Sequence, residues 1–191
     1  MHYVAVNTVY LNYAFQRSGL QTTLTDNFSG EELFLPVGSK WWGVSDRVMG
    51  SISIAGVTRD VLDGQTCLRL VGDIRTENDG GFIQASLRFS TDGEHLDATD
   101  FVGIRLSICG NGEMYSVQFH TPDCGRPWQS YRSESRAQPQ WETVTLPFTS
   151  FDTHRLEPPL DETRLMRMGL VTLGRPFRAD LAVSEIAFYK M

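Results

Sequence analysis

The sequence predicts an all-β fold, an antiparallel β-sandwich or jelly roll, and three observations support this prediction. Short segments in which apolar and polar residues alternate recur along the chain, and a period of two is the period of a β-strand. Turn dipeptides such as Asp-Gly and Asn-Gly separate these segments. No segment keeps a helical period over a useful length. Many short strands at even spacing are typical of an antiparallel sandwich.

The chain begins with a stretch that has no clear period. Residues 1–25 are interpreted as an added edge strand or as an extension, and residues 26–191 as a single β-sandwich domain. Trp41 and Trp42 come next, at the start of a loop that runs to Gly50. Because adjacent strand residues point to opposite faces, only one of the two indoles can enter the core.

Strands and turns alternate over the rest of the chain. Predicted strands cover residues 51–54, 66–71, 82–89, 102–108, 115–120, 128–133, 141–146, 166–173 and 181–189. Asp63-Gly64 and Asn111-Gly112 are predicted to close hairpins, and the second dipeptide is the strongest hairpin signal in the sequence. Residues 160–164 are predicted to form one helical turn.

The length and charge of the chain argue against several classes of function. Its 191 residues suit one domain with a full core. A net charge of -6 argues against binding to a nucleic-acid backbone or to an anionic membrane surface, because both are themselves negatively charged. The apolar runs are far shorter than the roughly 18 residues of a membrane span, and residues 1–20 lack the pattern of a secretory signal. We therefore expect a cytoplasmic protein with no membrane span and no nucleic-acid partner.

The sequence lacks the familiar motifs of catalysis and of metal binding. It contains no nucleophile elbow, zinc-protease helix, phosphate-binding loop or dinucleotide fingerprint, so we expect no enzyme activity and no cofactor. The four histidines and the scattered acidic residues lack ligand spacing, so no metal site is predicted. An alternative is an enzyme whose carboxylates are brought together by folding, and the candidates for it are Glu113, Glu134, Asp152 and Glu185. The three cysteines include no C-x-x-C pair and are interpreted as reduced thiols, while a Cys109–Cys124 disulfide stays open.

Polar residues that alternate with core positions form the first candidate binding surface. One continuous face is predicted to contain Gln84, Ser86, Arg88, Arg105, Ser107, Ser116, Gln118, His120 and Arg132. Their amides and guanidinium groups, beside an aromatic ring, suit sugar hydroxyls or a polar protein partner. A carbohydrate site on this face would use Arg105, Gln118, His120, Trp128 and Tyr131. The alternative is a plain solvent-facing sheet, because antiparallel sheets commonly leave one face exposed to water.

Four stretches in order resemble one known family. They are WGVSDRVMGSIS at 42–53, GDI followed by NDGGF within 72–82, GNGEMY at 110–115 and WETVTLPFTSF at 141–151. Together they resemble the family of complex I intermediate-associated protein 30, and the resemblance covers residues 26–191. Two departures are visible. Ser51 stands where the family has a second glycine, and no mitochondrial transit peptide is present, so a mitochondrial location is not implied.

The resemblance implies a galactose-binding-domain-like β-sandwich and a non-enzymatic assembly factor of a chaperone-like kind. The implied partner is a protein, such as an assembly intermediate of a respiratory complex, and a glycan is the alternative ligand. The loop end of the sandwich is the second candidate binding surface, with Trp42, Asp46, Met49, Gly50, Gly80, Gly81 and Phe82. In register with the family motif, Trp42 is expected to be buried and Trp41 more exposed. Asp46 is expected to accept hydrogen bonds from backbone N–H groups of its loop.

Overall fold

Two antiparallel sheets form the protein, whose computed structural model describes residues 21–28, 40–45, 54–75, 81–90 and 93–190. Over these residues the strands are β1 (Gln21–Asp26), β2 (Trp42–Ser45), β3 (Ile54–Leu62), β4 (Gln65–Ile74), β5 (Phe82–Arg88), β6 (Gly103–Gly110), β7 (Met114–His120), β8 (Ser130–Arg136), β9 (Glu142–Pro147), β10 (Asp152–His154), β11 (Arg167–Leu173) and β12 (Phe177–Lys190). Two short 3-10 turns lie at Phe148–Ser150 and Glu162–Arg164. The second turn falls within the helical turn predicted for residues 160–164.

The strands divide between the sheets in an order that crosses the sequence repeatedly. The first sheet has the order β3-β4-β12-β6-β9, with β1 also paired to β12. The second sheet has the order β10-β8-β7-β11-β5-β2. All of these pairings are antiparallel. The predicted antiparallel β-sandwich is therefore confirmed.

Alternating side chains of both sheets build one core between them. On β5, Ile83, Ala85 and Leu87 are fully buried in that core, and the residues between them face outward. Phe119 of β7 lies at the centre, with its ring centroid 4.9 Å from that of Phe151. Burying each large apolar side chain contributes about 1.5–3 kcal/mol, so this interior is the main source of stability.

The two predicted hairpins have different outcomes. Asp63 and Gly64 have positive φ angles of 52° and 77° and join β3 to β4, as predicted. Asn111 and Gly112 do not close a hairpin, because β6 belongs to the first sheet and β7 to the second. Gly112 has φ 81°, so the dipeptide does turn the chain, but the turn carries it from one sheet to the other. Tyr115 stabilises this crossing by donating from its hydroxyl to Asn111 Oδ1 at 2.8 Å.

The adjacent indoles are arranged in the opposite way to the prediction. Trp41 is buried, with 1% of its surface exposed, and its Nε1 donates to Asp26 Oδ2 at 3.2 Å. Trp42 is half-buried and faces outward from β2. The register of β2 fixes this choice, because Trp42 pairs with outward-facing Ser86 of β5. The expectation that Trp42 is the core indole was therefore wrong.

The termini and the cysteines complete the fold. Strand β1 pairs with the C-terminal half of β12 from Gln21 onward, while the proposed domain boundary at residue 26 stays a prediction.

Cys67, Cys109 and Cys124 are all free thiols, and the first two are buried. Within the described ranges, no helix is both long and apolar enough to cross a membrane.

Candidate functional site

The residues predicted to share one polar face are divided between the two sheets. Arg105 and Ser107 lie on β6 of the first sheet, whereas Gln118 and His120 lie on β7 of the second. Arg105 also binds Glu185 on its own sheet at 2.6 Å. The prediction of one continuous face that includes Arg105 and Ser107 was therefore wrong.

Tyr131 was also predicted to contribute to the surface, and the structure places it inside. It pairs with core residue Phe119 across β7 and β8 and is fully buried. Trp128, in the loop that connects β7 to β8, is instead 51% exposed. Of the two aromatic residues proposed beside the polar strands, Trp128 alone is available to a ligand.

The outward side of the second sheet keeps the other predicted polar residues together. We call it the polar face and define it by Trp42, Gln84, Ser86, Arg88, Gln118, His120, Arg132, Arg167 and Gly169. Its first row runs across five strands as the consecutive partners Trp42, Ser86, Gly169, Gln118 and Arg132. In its second row Arg88, Arg167 and His120 are partners on β5, β11 and β7. Since neighbouring strands lie about 4.8 Å apart, three basic side chains are concentrated within about 10 Å.

Buried polar atoms without partners distinguish this face. Ser86, Gln118 and His120 are 0%, 5% and 6% exposed, although they point away from the core. Among the described residues, five buried side-chain polar atoms lack a hydrogen-bond partner. Ser86 Oγ, Gln118 Nε2 and His120 Nδ1 are three of these five. An unpaired buried polar atom costs about 1–3 kcal/mol, so this concentration favours a face that is completed by donors and acceptors of a ligand.

Gly169 shapes the middle of the polar face. A Cβ atom added at this position would lie 2.5 Å from Gln84 Nε2. The missing side chain therefore lets the Gln84 amide lie across β11. A planar amide is held over the middle of the first row in this way.

Arginines on the two outer faces differ in their partners. On the first sheet, Arg69 binds both Asp60 and Asp180 at 2.8 Å, and Arg105 binds Glu185. The basic groups of that surface are thus neutralised by the protein itself, which is the usual arrangement for a structural network.

On the polar face, none of Arg88, Arg132 and Arg167 forms an ion pair with any residue that the structure describes. Burial lowers the pKa of Arg132 and of Arg167, and the charge of Arg88 lowers the pKa of Arg167 further. These pKa shifts indicate guanidinium groups that have lost contact with water, although the nearby carboxylate of Glu134 partly offsets the shift of Arg132.

A cleft of about 310 Å³ opens at the second row of the polar face. We call it the arginine cleft, and it is lined by Arg88, Ser90, Gly93, Glu94, His120, Thr121, Cys124, Met166 and Arg167. Burial, with the nearby charges of Arg167 and Arg132, lowers the pKa of His120 to about 3, so its imidazole is neutral near pH 7. The nearby carbonyl of Pro127 opposes this lowering of the pKa, and Nδ1 is buried with no hydrogen-bond partner among the described residues.

Aromatic and apolar groups lie at two edges of the polar face. The guanidinium of Arg88 lies over the Trp42 ring, 5.9 Å from its centroid, in a cation–π contact. At the other edge, the loop that carries Trp128 is fixed by Gln129, whose Nε2 donates to the Arg155 carbonyl at 2.7 Å. Met166, in the lining of the arginine cleft, is 42% exposed. Both edges can therefore supply apolar contacts.

The predicted loop end lies at the opposite end of the second sheet. Gly81 is buried with φ 120°, and Phe82 begins β5. The other loop residues of that prediction, Asp46, Met49, Gly50 and Gly80, lie outside the described residues. The loop end therefore stays a prediction.

Two of the four candidate carboxylates of the enzyme alternative are bound in ion pairs. Glu185 binds Arg105 on the first sheet, and Glu113 binds Arg175. Within the described ranges, no group of three or more His, Cys, Asp or Glu residues is placed to hold a metal ion.

Comparison with known proteins identifies the family. The model of the family described as complex I intermediate-associated protein 30 matches residues 27–182. The chain belongs to this family. No curated protein matches the sequence of this family member significantly.

Several solved structures with a fold similar to that of this family member are carbohydrate-binding modules. It is 13% identical to the family 11 module of a cellulosomal cellulase of Clostridium thermocellum, with a TM-score of 0.66 over 90% of this chain and 95% of that one. A second structure of the family 11 module, in complex with a β-1,3-1,4-mixed-linked tetrasaccharide, is 14% identical, with a TM-score of 0.63 over 91% and 96%. The family 30 module of another cellulosomal cellulase of that organism is 14% identical, with a TM-score of 0.57 over 78% and 90%. These likenesses show the β-sandwich fold.

Several site residues of this family member were not predicted from its sequence. Arg167 and Gly169 lie on a strand that was interpreted only as an apolar core strand, yet both occupy its outward positions. The alternation along 166–173 was the available signal, because Met168 and Leu170 define the inward side. Cys124 joins the cleft through a loop, and no periodic signal marks such a position.

Proposed function

We propose that the protein is a non-catalytic binding module that holds a partner protein on its polar face, in the manner of an assembly factor. The observation that carries this proposal is the set of buried atoms Ser86 Oγ, Gln118 Nε2 and His120 Nδ1, which have no partner in the described structure. A bound protein would supply the missing donors and acceptors, and it would neutralise arginines that have no ion-pair partner among the described residues.

The composition around the polar face supports a protein as the partner. Trp, Met and Arg are enriched at protein interfaces, and Trp and Arg dominate binding hot spots. Trp128 and Met166 are exposed large hydrophobic residues, and Arg88 and Arg167 lie in the same region of the sheet. Membership of a family described by its association with a complex I intermediate also supports an assembly function.

Site-specific photo-crosslinking tests this proposal. A photoreactive phenylalanine analogue placed at Trp128 should capture a defined protein in cells, and the same analogue at Val61 should not. Val61 is a matched control because it is 58% exposed but lies on β3 of the other sheet. The captured protein, purified separately, should bind the wild type and lose affinity for Trp128→Ser. Equal capture at both positions, or no capture at either, would refute the proposal.

A second candidate function is carbohydrate binding on the same face. Gln118 lies in the first row, and the amide of Gln84 lies over Gly169 of that row. With the ring of Trp42 at the end of the row, these amides suit sugar hydroxyls and a sugar ring. The carbohydrate-binding modules of similar fold make a glycan a reasonable ligand class to test. Binding to soluble β-glucans that is lost in Gln118→Ala and Trp42→Ala would support this function. A wild-type protein that binds no glycan in a broad array would remove it.

A further inference from the structure

We propose that the arginine cleft is a receptor for a carboxylate side chain in an acidic peptide segment of the partner. This inference deepens the proposed function, since it rests on a protein partner and assigns the chemistry by which one end of the polar face recognises it. The cleft is formed by the second row, in which Arg88, Arg167 and His120 are aligned on three neighbouring strands.

Two guanidinium groups of the cleft are available to an anion. Arg88 and Arg167 line it, and neither has an ion-pair partner among the residues that the structure describes. One carboxylate, that of exposed Glu94, belongs to the lining, so the described lining carries a net positive charge when His120 is neutral. Planar guanidinium groups bind carboxylates through paired, charge-assisted hydrogen bonds.

His120 makes the site more specific than two arginines alone. Its Nδ1 is buried and has no hydrogen-bond partner among the described residues, so a ligand that reaches this atom can complete its bonding. An aspartate or glutamate in a peptide brings a carboxylate for the arginines and, beside it, backbone N–H and C=O groups that can pair with Nδ1 in either tautomer. The complete set of donors and acceptors therefore favours a peptide carboxylate over a small inorganic anion.

The lining also favours a peptide over an acidic sugar. Sugar rings usually pack on flat aromatic side chains, and the described lining contains no Trp, Tyr or Phe. Its apolar contact comes from Met166, whose flexible thioether adapts to irregular side chains. The whole chain carries a net charge of -6, so the rest of its surface repels acidic partners. A cleft that is locally positive therefore selects the place at which an acidic segment binds.

The chain provides its own reporter for occupancy of the cleft. Cys124 lies in the lining and is partly exposed, whereas Cys67 and Cys109 are buried. A maleimide should therefore modify Cys124 first in the folded protein. An oligoglutamate peptide should slow this labelling, and an oligoglutamine peptide of the same length should not. The Cys124→Ser protein identifies any labelling that comes from the other two thiols.

Charge-removing substitutions test the assignment directly by fluorescence anisotropy with labelled oligoglutamate. Arg88→Gln and Arg167→Gln should each weaken binding about tenfold or more, because each removes a charge-assisted contact. Arg178→Gln removes the same charge from an exposed position on the first sheet and should leave affinity within about twofold. Arg88 is exposed, so its variant keeps the test decisive if Arg167→Gln does not fold.

Several outcomes would overturn this proposal. Absence of oligoglutamate binding, or equal weakening by all three substitutions, would reject a specific cleft. Equal protection of Cys124 by inorganic phosphate would reduce it to a general anion site, and protection by oligogalacturonate alone would assign it to a glycan. If crosslinked-partner binding persists in both cleft variants but is lost in Trp128→Ser, the acidic-segment proposal fails while the protein-partner proposal stands. If oligoglutamate binds in an Arg167-dependent way but no protein is captured by crosslinking, the acidic-segment proposal stands while the protein-partner proposal fails.

Discussion

Replacing His120 by glutamine should change how the stability of the protein depends on pH. The pKa of His120 is lowered to about 3 by burial and by the charges of Arg167 and Arg132, with the thiol of Cys124 also facing the same cleft. An unfolded histidine has a pKa of about 6.5. Between these two values the unfolded chain binds more protons than the folded chain. The free energy of unfolding must therefore fall as the pH falls through this window.

The size of the effect follows from the two pKa values. Between about pH 7 and about pH 4, linkage at a group with pKa values of about 6.5 unfolded and about 3 folded removes about 3 kcal/mol of stability. The depressed carboxylate pKa values of Asp60, Asp97 and Asp161 act below their usual value of 3.8, outside most of this window. The raised pKa of Asp26 acts in the opposite direction, but it is common to wild type and variant and cancels in their difference.

Urea unfolding at a series of pH values measures this difference. Glutamine cannot take up the proton and is similar to histidine in size and polarity, so His120→Gln should be close to wild type near pH 7 and about 3 kcal/mol more stable than wild type near pH 4. Exposed His95→Gln is the matched control and should follow the wild-type curve. Parallel curves for wild type and His120→Gln would refute the reasoning, because they would mean that His120 is protonated as easily in the folded as in the unfolded chain.

Three further substitutions test the packing around the site. Trp41→Ala should destabilise the protein by about 3–5 kcal/mol and Trp42→Ala by clearly less, as measured by urea midpoints, because Trp41 fills the core; equal losses would contradict the orientation of the pair. Gly169→Ala should lower the free energy of unfolding by about 1 kcal/mol, because the added Cβ meets the Gln84 amide. In a double-mutant cycle, Gln84→Ala in the same protein should recover most of that loss, whereas additive effects would exclude the contact. Tyr115→Phe should cost about 1–2 kcal/mol by removing the two hydrogen bonds of the hydroxyl, and the wild-type phenol should ionise late, with a pKa of about 12 in an ultraviolet titration.

Much of the fold could be predicted because strand periodicity is local. The alternation in 82–89 separates Ile83 and Ala85 from Gln84 and Ser86 without any knowledge of the partner strands. The Asn111-Gly112 turn was misassigned because turn chemistry fixes backbone dihedrals but does not choose the strand partner. In the structure β7 pairs with β8 and β11. Those pairings are long-range, and local sequence does not report them.

The site was predicted less well for the same reason. Periodicity shows that Arg105 and Gln118 face away from the core, but it does not show that they lie on opposite outer faces of the sandwich. Tyr131 is a different case. It is adjacent to Arg132 on the same strand, and adjacent strand residues point to opposite faces of the sheet. Its burial could have been inferred from the choice of Arg132 as an outward residue.

The two indoles link the segment around Asp26 to the Trp42 edge of the polar face. Asp26 holds Trp41 Nε1 and also accepts from the Phe28 N–H at 2.8 Å, while the Phe28 ring lies 6.2 Å from that of Trp41. These contacts hold Trp41 in the core, and alternation then requires Trp42 to face outward beside Arg88. A shift of one residue in β2 would exchange the two rings and remove the aromatic edge of the polar face. The segment around Asp26 therefore contributes to the geometry of the binding surface, although it lies outside that surface.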